Sequence, residues 1–261
     1  MRMIGLRILG AGLIGPGLDG WPAASLALRN GGTRYASGPT QIPAPGLLPA
    51  NERRRTTACI KLALASAEQA VQEAGLDPAE LASVFSSSHG DMQVCDHLCR
   101  ALATDDKPVS PTQFHNSVHN APAGYWSIAI GSRRPSTSLA VSDSSFTAGL
   151  LEAVLQSRTG GRPVLLACYD HPAPAPLDAA APLTAPFAVA LVVQADENGP
   201  LRLSLSDGAE TRLTQTELEH LRLGNPAARA LPLLAALADD LPATVLLPHL
   251  DRQMRIDLET A

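Results

Sequence analysis

Residues 109–153, VSPTQFHNSVHNAPAGYWSIAIGSRRPSTSLAVSDSSFTAGLLEA, constrain the fold more than any other stretch, because helix, strand, sharp turn and helix follow one another without a gap. Val118, Ala121, Ala123, Trp126 and Ile130 recur at roughly helical spacing. Pro122 would break the middle of a helix but suits its first turn, so this helix starts near residues 120–122. Gly131 ends it, and Pro135 opens a short strand over residues 136–141. A polar turn at residues 142–145 then leads into a second helix, residues 146–157. A strand that turns abruptly into a helix exposes the side chain at its bend beside a helix N-terminus, where α/β enzymes often place a nucleophile. Asp143 and Ser144 stand at that bend. Either residue type is also a common N-cap, which predicts Ser144 or Asp143 bonded to the first helical turn and Phe146 buried beside it.

The chain has 261 residues, enough for one large domain or one domain with a long elaboration. Hydrophobic residues make up 45% of it and aromatics only 3%, so the core must be built from Ala, Leu and Val, which suits helix-on-sheet packing. A net charge of −5 and the lack of basic clusters beyond Arg53, Arg54 and Arg55 argue against a nucleic-acid surface. No stretch reaches the roughly 18 apolar residues that a membrane span needs. The N-terminal residues carry no signal-peptide pattern, and the four cysteines fit a reducing cytoplasm, the expected location. Cys95, His97 and Cys99 match no metal-ligand spacing, so no metal is expected.

Along the chain, residues 3–9 read as a buried first strand that runs into a glycine-containing turn. Gly10, Gly12 and Gly15 superficially match a dinucleotide fingerprint, but Pro16 and Gly17 stop the helix it requires; no cofactor is expected. Residues 10–50 read as a long Pro- and Gly-rich connection. A helix over residues 56–74, a strand over 84–87 and a helix over 93–103 follow. Beyond the central stretch come a strand at 163–168, a loop at 171–186, and strands at 187–194 and 201–206 that read as a hairpin around Asp196-Glu197-Asn198-Gly199. A helix over 225–238 and short strands at 244–247 and 255–258 complete the reading.

The central stretch resembles the elongating β-ketoacyl synthases, which carry Gly-Pro-x-x-Ser-x-x-Thr-Ala-Cys before the same helix. Laid down without gaps, Pro135 and Ser138 match the Pro and the Ser, and Thr-Ala-Cys falls on Val141, Ser142 and Asp143. The resemblance covers roughly residues 56–195 and implies an α/β fold: one thiolase-like half, a mixed five-stranded sheet flanked by helices, with a truncated C-terminal part. Residues 1–207 would form the synthase-like N-terminal domain, and residues 208–261 a short extension completing it. The nucleophilic Cys of the family is replaced by Asp143, or by Ser144 in an alignment slipped by one. The family's two catalytic histidines and nearby Lys lie in the second half, which the remaining segment is too short to hold. His220 and His249 sit in no motif resembling theirs.

The resemblance therefore implies a catalytically silent, chain-length-factor-like subunit. Its expected partner is an active β-ketoacyl synthase, forming a heterodimer that meets acyl carrier protein in polyketide, aryl polyene or fatty-acid-type elongation. Family members pair through the strand before the nucleophile, so the expected interface comprises His115, Asn116, His119, Asn120, Trp126, Ser136, Ser138, Leu139 and Val141. The alternative is a serine hydrolase or acyltransferase using Ser144, with His115 or His119 as base and Asp143 or Asp170 orienting it. Ser144 lacks the flanking glycines of a Gly-x-Ser-x-Gly elbow.

Overall fold

The computed structural model describes residues 3–259. In chain order the elements are β1 (Ile4–Gly15), β2 (Leu18–Asp19), α1 (Trp21–Gly32), α2 (Ala50–Arg53), α3 (Ala58–Ala74), β3 (Ala82–Ser86), α4 (Met92–Leu102), α5 (Pro111–Asn116) and α6 (Ala121–Ile130). They continue with β4 (Ser136–Leu139), α7 (Ser145–Gly160), β5 (Val164–Asp170), β6 (Phe187–Ala195), β7 (Leu201–Ser206), α8 (Thr216–Gly224), α9 (Leu231–Asp239), β8 (Ala243–His249) and β9 (Arg252–Leu258). All strands join one open mixed sheet of order β4-β3-β5-β6-β1-β7-β9-β8, with β2 paired to β1. β3 runs parallel to both β4 and β5, and the remaining neighbours pair antiparallel. The first five strands of this order are the expected thiolase-like half. β7 and then β9 and β8 of the C-terminal segment extend the same sheet beyond β1.

Alternation along the central strands divides the core between two faces. Leu165, Ala167 and Tyr169 of β5 and Ala188, Ala190 and Val192 of β6 pack with α3 and α6. Their neighbours Val164, Leu166, Cys168, Val189, Leu191 and Val193 pack with α1, α7, α8 and α9. On the first face the sheet is lined mainly by small residues, so α3 approaches closely. Ala63, Leu64, Ala67 and Ala70 of α3 are fully buried there. This is how a chain so poor in aromatics fills its interior.

Three expectations are corrected. The glycines after Leu9 form no turn: β1 continues through Gly15, and residues 10–50 contain β2, α1 and α2 as well as loop. Gly10 and Gly12 face α3. A Cβ at Gly10 would stand 2.6 Å from the Ala74 amide nitrogen, and one at Gly12 would stand 2.9 Å from that of Ala70. β6 and β7 form no hairpin, because β1 lies between them and pairs with both. The connection passes over the end of β1, where the Asp196 amide donates to the Gly5 carbonyl (2.9 Å). Finally, the single helix expected at 225–238 is split. Pro226 opens a tight turn at Ala227–Ala230, and Pro232 stands in the first turn of α9, where its missing N–H costs nothing.

If close helix–sheet contact is the reason for these glycines, Gly12→Ala should destabilise the fold by about 1–3 kcal/mol through overpacking. The ordinary gain from a less flexible unfolded chain runs the other way and is smaller. A lower urea midpoint at unchanged slope checks this; an unchanged or higher midpoint contradicts it.

Candidate functional site

β3, β4 and β5 are parallel, and the connections leaving β3 and β4 pass to opposite faces of the sheet, through α6 and α7 respectively. Such a switch opens a crevice beyond the C-terminal ends of the strands, where α/β folds place their sites. The loop after β3, the bend after β4 and the end of β5 meet there.

Asp170, the last residue of β5, is fully buried and gathers the loop after β3. Its Oδ1 accepts from the Ser87 hydroxyl (2.9 Å) and from the backbone amides of Ser88 (2.8 Å) and His89 (3.4 Å). Its carbonyl accepts from Asn225 Nδ2 (3.3 Å), which ties the same point to the C-terminal segment. Burial pushes the carboxyl up to about 7, against those hydrogen bonds, which favour the anion. Its Oδ2 has no partner among the described residues, which suits a protonated carboxyl better than an anion.

At the bend, Ser142 holds a positive φ of 46°, a backbone that only a sharp, over-determined turn keeps at a non-glycine residue. Ser145 clamps it, its Oγ accepting from the Val141 amide (3.0 Å) and donating to the Ser142 carbonyl (2.7 Å). The expected cap is not made: neither Ser144 nor Asp143 bonds the first turn of α7. Asp143 instead pairs with Arg229 (3.3 Å), and Ser144 Oγ accepts from the Leu250 amide (2.8 Å). Phe146 is buried beside the bend, as expected.

Arg229 stands in the turn before α9 and also approaches Glu210 (3.7 Å). Glu210 takes a second cation in the fully buried Arg222 (2.8 Å), which is also paired with Glu219 through two bonds of 2.8 Å. Asp143 is thus the exposed end of a chain of alternating charges. The tip of the β8–β9 connection packs on the same bend. Thr147 Oγ1 donates to the Pro248 carbonyl (2.6 Å) and is hydrogen-bonded with His249 Nδ1 (3.1 Å). Burial lowers the pKa of His249 and favours its neutral ring.

The residues singled out from the sequence are only partly brought together. His119 reaches the bend, but its Nε2 is turned to the Leu139 carbonyl (3.0 Å), an acceptor only. His115 lies exposed, edge-on to Tyr125 with ring centroids 5.9 Å apart. Neither contacts Ser144, so the base required for a serine nucleophile is not assembled. Asn116 and Trp126, expected at an interface, face inward. Asn116 donates to the Arg55 carbonyl (2.8 Å) and accepts from the Tyr125 hydroxyl (3.1 Å), and Trp126 is 1% exposed. Ser136 and Asn120 are exposed, while Ser138, Leu139 and Val141 are half-buried along the outer edge of the sheet. Apolar Phe114, Val118, Ile128 and Leu155 are exposed on the elements around that edge. Arg229, His249 and Leu250 were not anticipated. They lie far from the bend in sequence and carry no motif. Among the described residues, no group of three His, Cys, Asp or Glu side chains gathers to hold a metal, and no helix is long and apolar enough to cross a membrane.

The buried carboxyl makes stability depend on pH with a definite sign. Below about pH 4 Asp170 is protonated in both states. Between about 4 and 7 only the folded state keeps the proton, so stability falls as pH rises, and above about 7 the full penalty persists. Asp170→Asn keeps the Oδ1 acceptor and has no proton to lose. It should flatten this dependence and be the more stable chain at pH 8, by roughly 2–4 kcal/mol. Urea midpoints from pH 4 to 8 check it; parallel profiles for the two chains would refute it.

Residues 29–245, more than half of the chain, match the family model for the β-ketoacyl synthase N-terminal domain. No curated protein matches the sequence. Among solved structures, the chain is similar to a ketosynthase (ApeO) in complex with its chain length factor (ApeC) from Xenorhabdus doucetiae, at 24% identity and a TM-score of 0.74, covering 97% of this chain and 99% of that one. It is similar to the ishigamide ketosynthase/chain length factor at 14% identity and a TM-score of 0.68, covering 97% of this chain and 98% of that one. It also resembles AntDE:AntF, a type II PKS acyl-carrier protein in complex with its ketosynthase bound to the hexaketide, at 12% identity and a TM-score of 0.74 over 100% of both chains. Identities this low speak for the thiolase-like fold, and the family model speaks for descent. This chain belongs to the β-ketoacyl synthase family, through its N-terminal domain.

Proposed function

We propose that the chain is a non-catalytic, chain-length-factor-like subunit that pairs through β4 with an active β-ketoacyl synthase. The pair would extend chains on acyl carrier protein in a polyketide, aryl polyene or fatty-acid-type pathway. The observation that carries this reading is the state of the bend. Where the family's nucleophilic Cys aligns, Asp143 stands with its carboxylate paired to Arg229, and a carboxylate cannot form the acyl thioester. The neighbouring Ser144 has its Oγ engaged by the Leu250 amide, and no histidine is placed to deprotonate it. The solved chains it is similar to include a ketosynthase with its chain length factor, which supports the same role here.

The edge itself supports pairing. The carbonyls of Pro135 and Leu139 accept from Ser83 and Ser87 of the β3 side. By strand alternation the backbone groups of Ser136, Ser138 and Ala140 therefore point outward, unpaired. An unpaired strand edge is an association site unless something covers it.

Two outcomes follow. The purified chain alone should not condense acyl and malonyl carrier-protein substrates, and it should not react with an active-serine probe. Turnover or labelling in the absence of any synthase would overturn the assignment. With a co-expressed cysteine-bearing synthase the chain should co-purify, and Ser138→Pro should abolish this. Proline is tolerated at an edge position whose N–H points outward, so the variant should keep its circular dichroism while losing the central ladder bond. Co-purification of Ser138→Pro at the wild-type level would show that β4 is not the pairing edge.

A further inference from the structure

We propose that Cys95 and Cys99, one turn apart on α4, hold a soft, two-coordinate cation such as copper(I) between their sulfurs. The cysteines of the chain fall into two pairs. Cys59 and Cys168 are buried, whereas Cys95 is half-buried and Cys99 is exposed. Cysteine is among the most buried of residue types even outside disulfides, so two accessible thiols side by side are unusual. α4 is hydrogen-bonded through both positions. The Cys95 amide donates to the Asp91 carbonyl (3.2 Å), and the Cys99 carbonyl accepts from the Ala103 amide (3.1 Å). Positions i and i+4 of such a helix share one face, with Cβ atoms about 5–6 Å apart. A disulfide requires Cβ atoms about 3.5–4.5 Å apart, so this pair cannot form one without unwinding the turn. Two metal–sulfur bonds of about 2.3 Å each, placed in line, span about 4.6 Å, which two thiols leaning together across the turn can reach. The spacing therefore suits a bridging cation and not a disulfide.

The ligand set selects the cation. Thiolates are soft donors and favour copper(I) over hard divalent ions. Zinc requires a tetrahedron of ligands, and the helix does not supply the other two. His97 lies two residues from each cysteine, about 200° around the helix, and its ring meets Gln113 (3.5 Å). Asp96 is buried and bonded to Arg100 (2.7 Å). Binding is an exchange without redox chemistry: each thiol releases its proton to water as its sulfur–metal bond forms. α4 is also an element that a cross-link would stabilise. Of its residues only Val94 and Asp96 are buried, so little packing holds it. At its start Asp91 accepts from the Val94 amide (3.1 Å), directly after the loop that Asp170 gathers. Near its other end Arg100 donates to the Ala175 carbonyl (2.8 Å) in the loop after β5. Fixing the turn between Cys95 and Cys99 therefore stiffens a helix that joins two loops of the crevice.

Native mass spectrometry of the purified, reduced full chain tests the site, with anaerobic titration of copper(I) and of silver(I) as its redox-inert counterpart. The wild type should retain one cation per chain. Cys95→Ser and Cys99→Ser should each weaken binding by roughly 10²–10⁴-fold, since a second thiol on the same turn acts at high effective concentration. Both thiols are accessible, so neither change should alter the circular dichroism. The decisive control combines Cys99→Ser with His97→Cys. It keeps the number of thiols but moves the second one to the opposite side of the helix. This double variant should bind no more tightly than Cys99→Ser alone. Hydrogen exchange of the α4 amides should slow when silver(I) binds the wild type, and should not change in the double variant. The proposal is overturned if the wild type binds no more tightly than Cys99→Ser, or if the displaced thiol serves as well as the native one. Zinc retained as firmly as silver(I), or α4 exchange indifferent to the bound cation, would equally overturn it. No synthase enters the assay, so either result leaves the proposed function to its own test.

Discussion

The buried carboxyl of Asp170 is the tie on which the crevice depends. One oxygen holds the loop after β3, the main chain of the same residue is held by Asn225, and Asn225 in turn accepts from Ala227 at the start of the turn that carries Arg229. Burying an acid this deeply is unfavourable to its charged form, and the hydrogen bonds to Oδ1 recover only part of that. The geometry survives because the three segments it joins are otherwise loops, each with backbone groups that need a partner away from water. Without this point the loop after β3 and the C-terminal turn would have no common anchor.

From that anchor the C-terminal segment reaches the bend after β4 and occupies it. Arg229 meets Asp143, Leu250 meets Ser144, and His249 meets Thr147. Each contact spends a polar group that an active site would keep for substrate. The chain of charges running from Asp143 through Arg229, Glu210 and Arg222 to Glu219 is equally structural. Its buried cations need their carboxylates, and each has two: Arg222 is held by Glu219 and Glu210, and Arg229 by Asp143 and Glu210. The bend has a sharp backbone, with a positive φ at Ser142, and its side chains act as fasteners.

The outer edge is where the molecule remains open. On the far side the sheet ends in the β8–β9 pair, whose inward residues Val245, Leu247, Met254 and Ile256 are covered by the core. At β4 the situation differs: three outward backbone pairs, four exposed apolar side chains on neighbouring elements and an adjoining groove lie together. A fold that fills its interior with Ala, Leu and Val has little apolar surface to spare. Exposed apolar side chains that coincide with an unpaired strand edge favour association there.

Most of the elements that carry the crevice were legible in the sequence. Pro122 and Gly131 bracket α6, Pro135 opens β4, and the apolar periodicity of α3 and the β-rich run of β5 are local signals that need no tertiary context. The aligned Pro135 and Ser138 also located the bend. What tertiary structure alone decided is everything that depends on distance through space. Gly10 and Gly12 read as a turn because glycine favours turns; only the closeness of α3 shows that they are small for packing. β6 and β7 read as a hairpin because they are adjacent in sequence; only the insertion of β1 separates them. Trp126 and Asn116 read as surface candidates because a short helix does not declare which face the core will claim. Arg229, His249 and Leu250 reach the bend from far along the chain, and no residue pattern encodes a contact whose geometry exists only once the sheet has closed over α7.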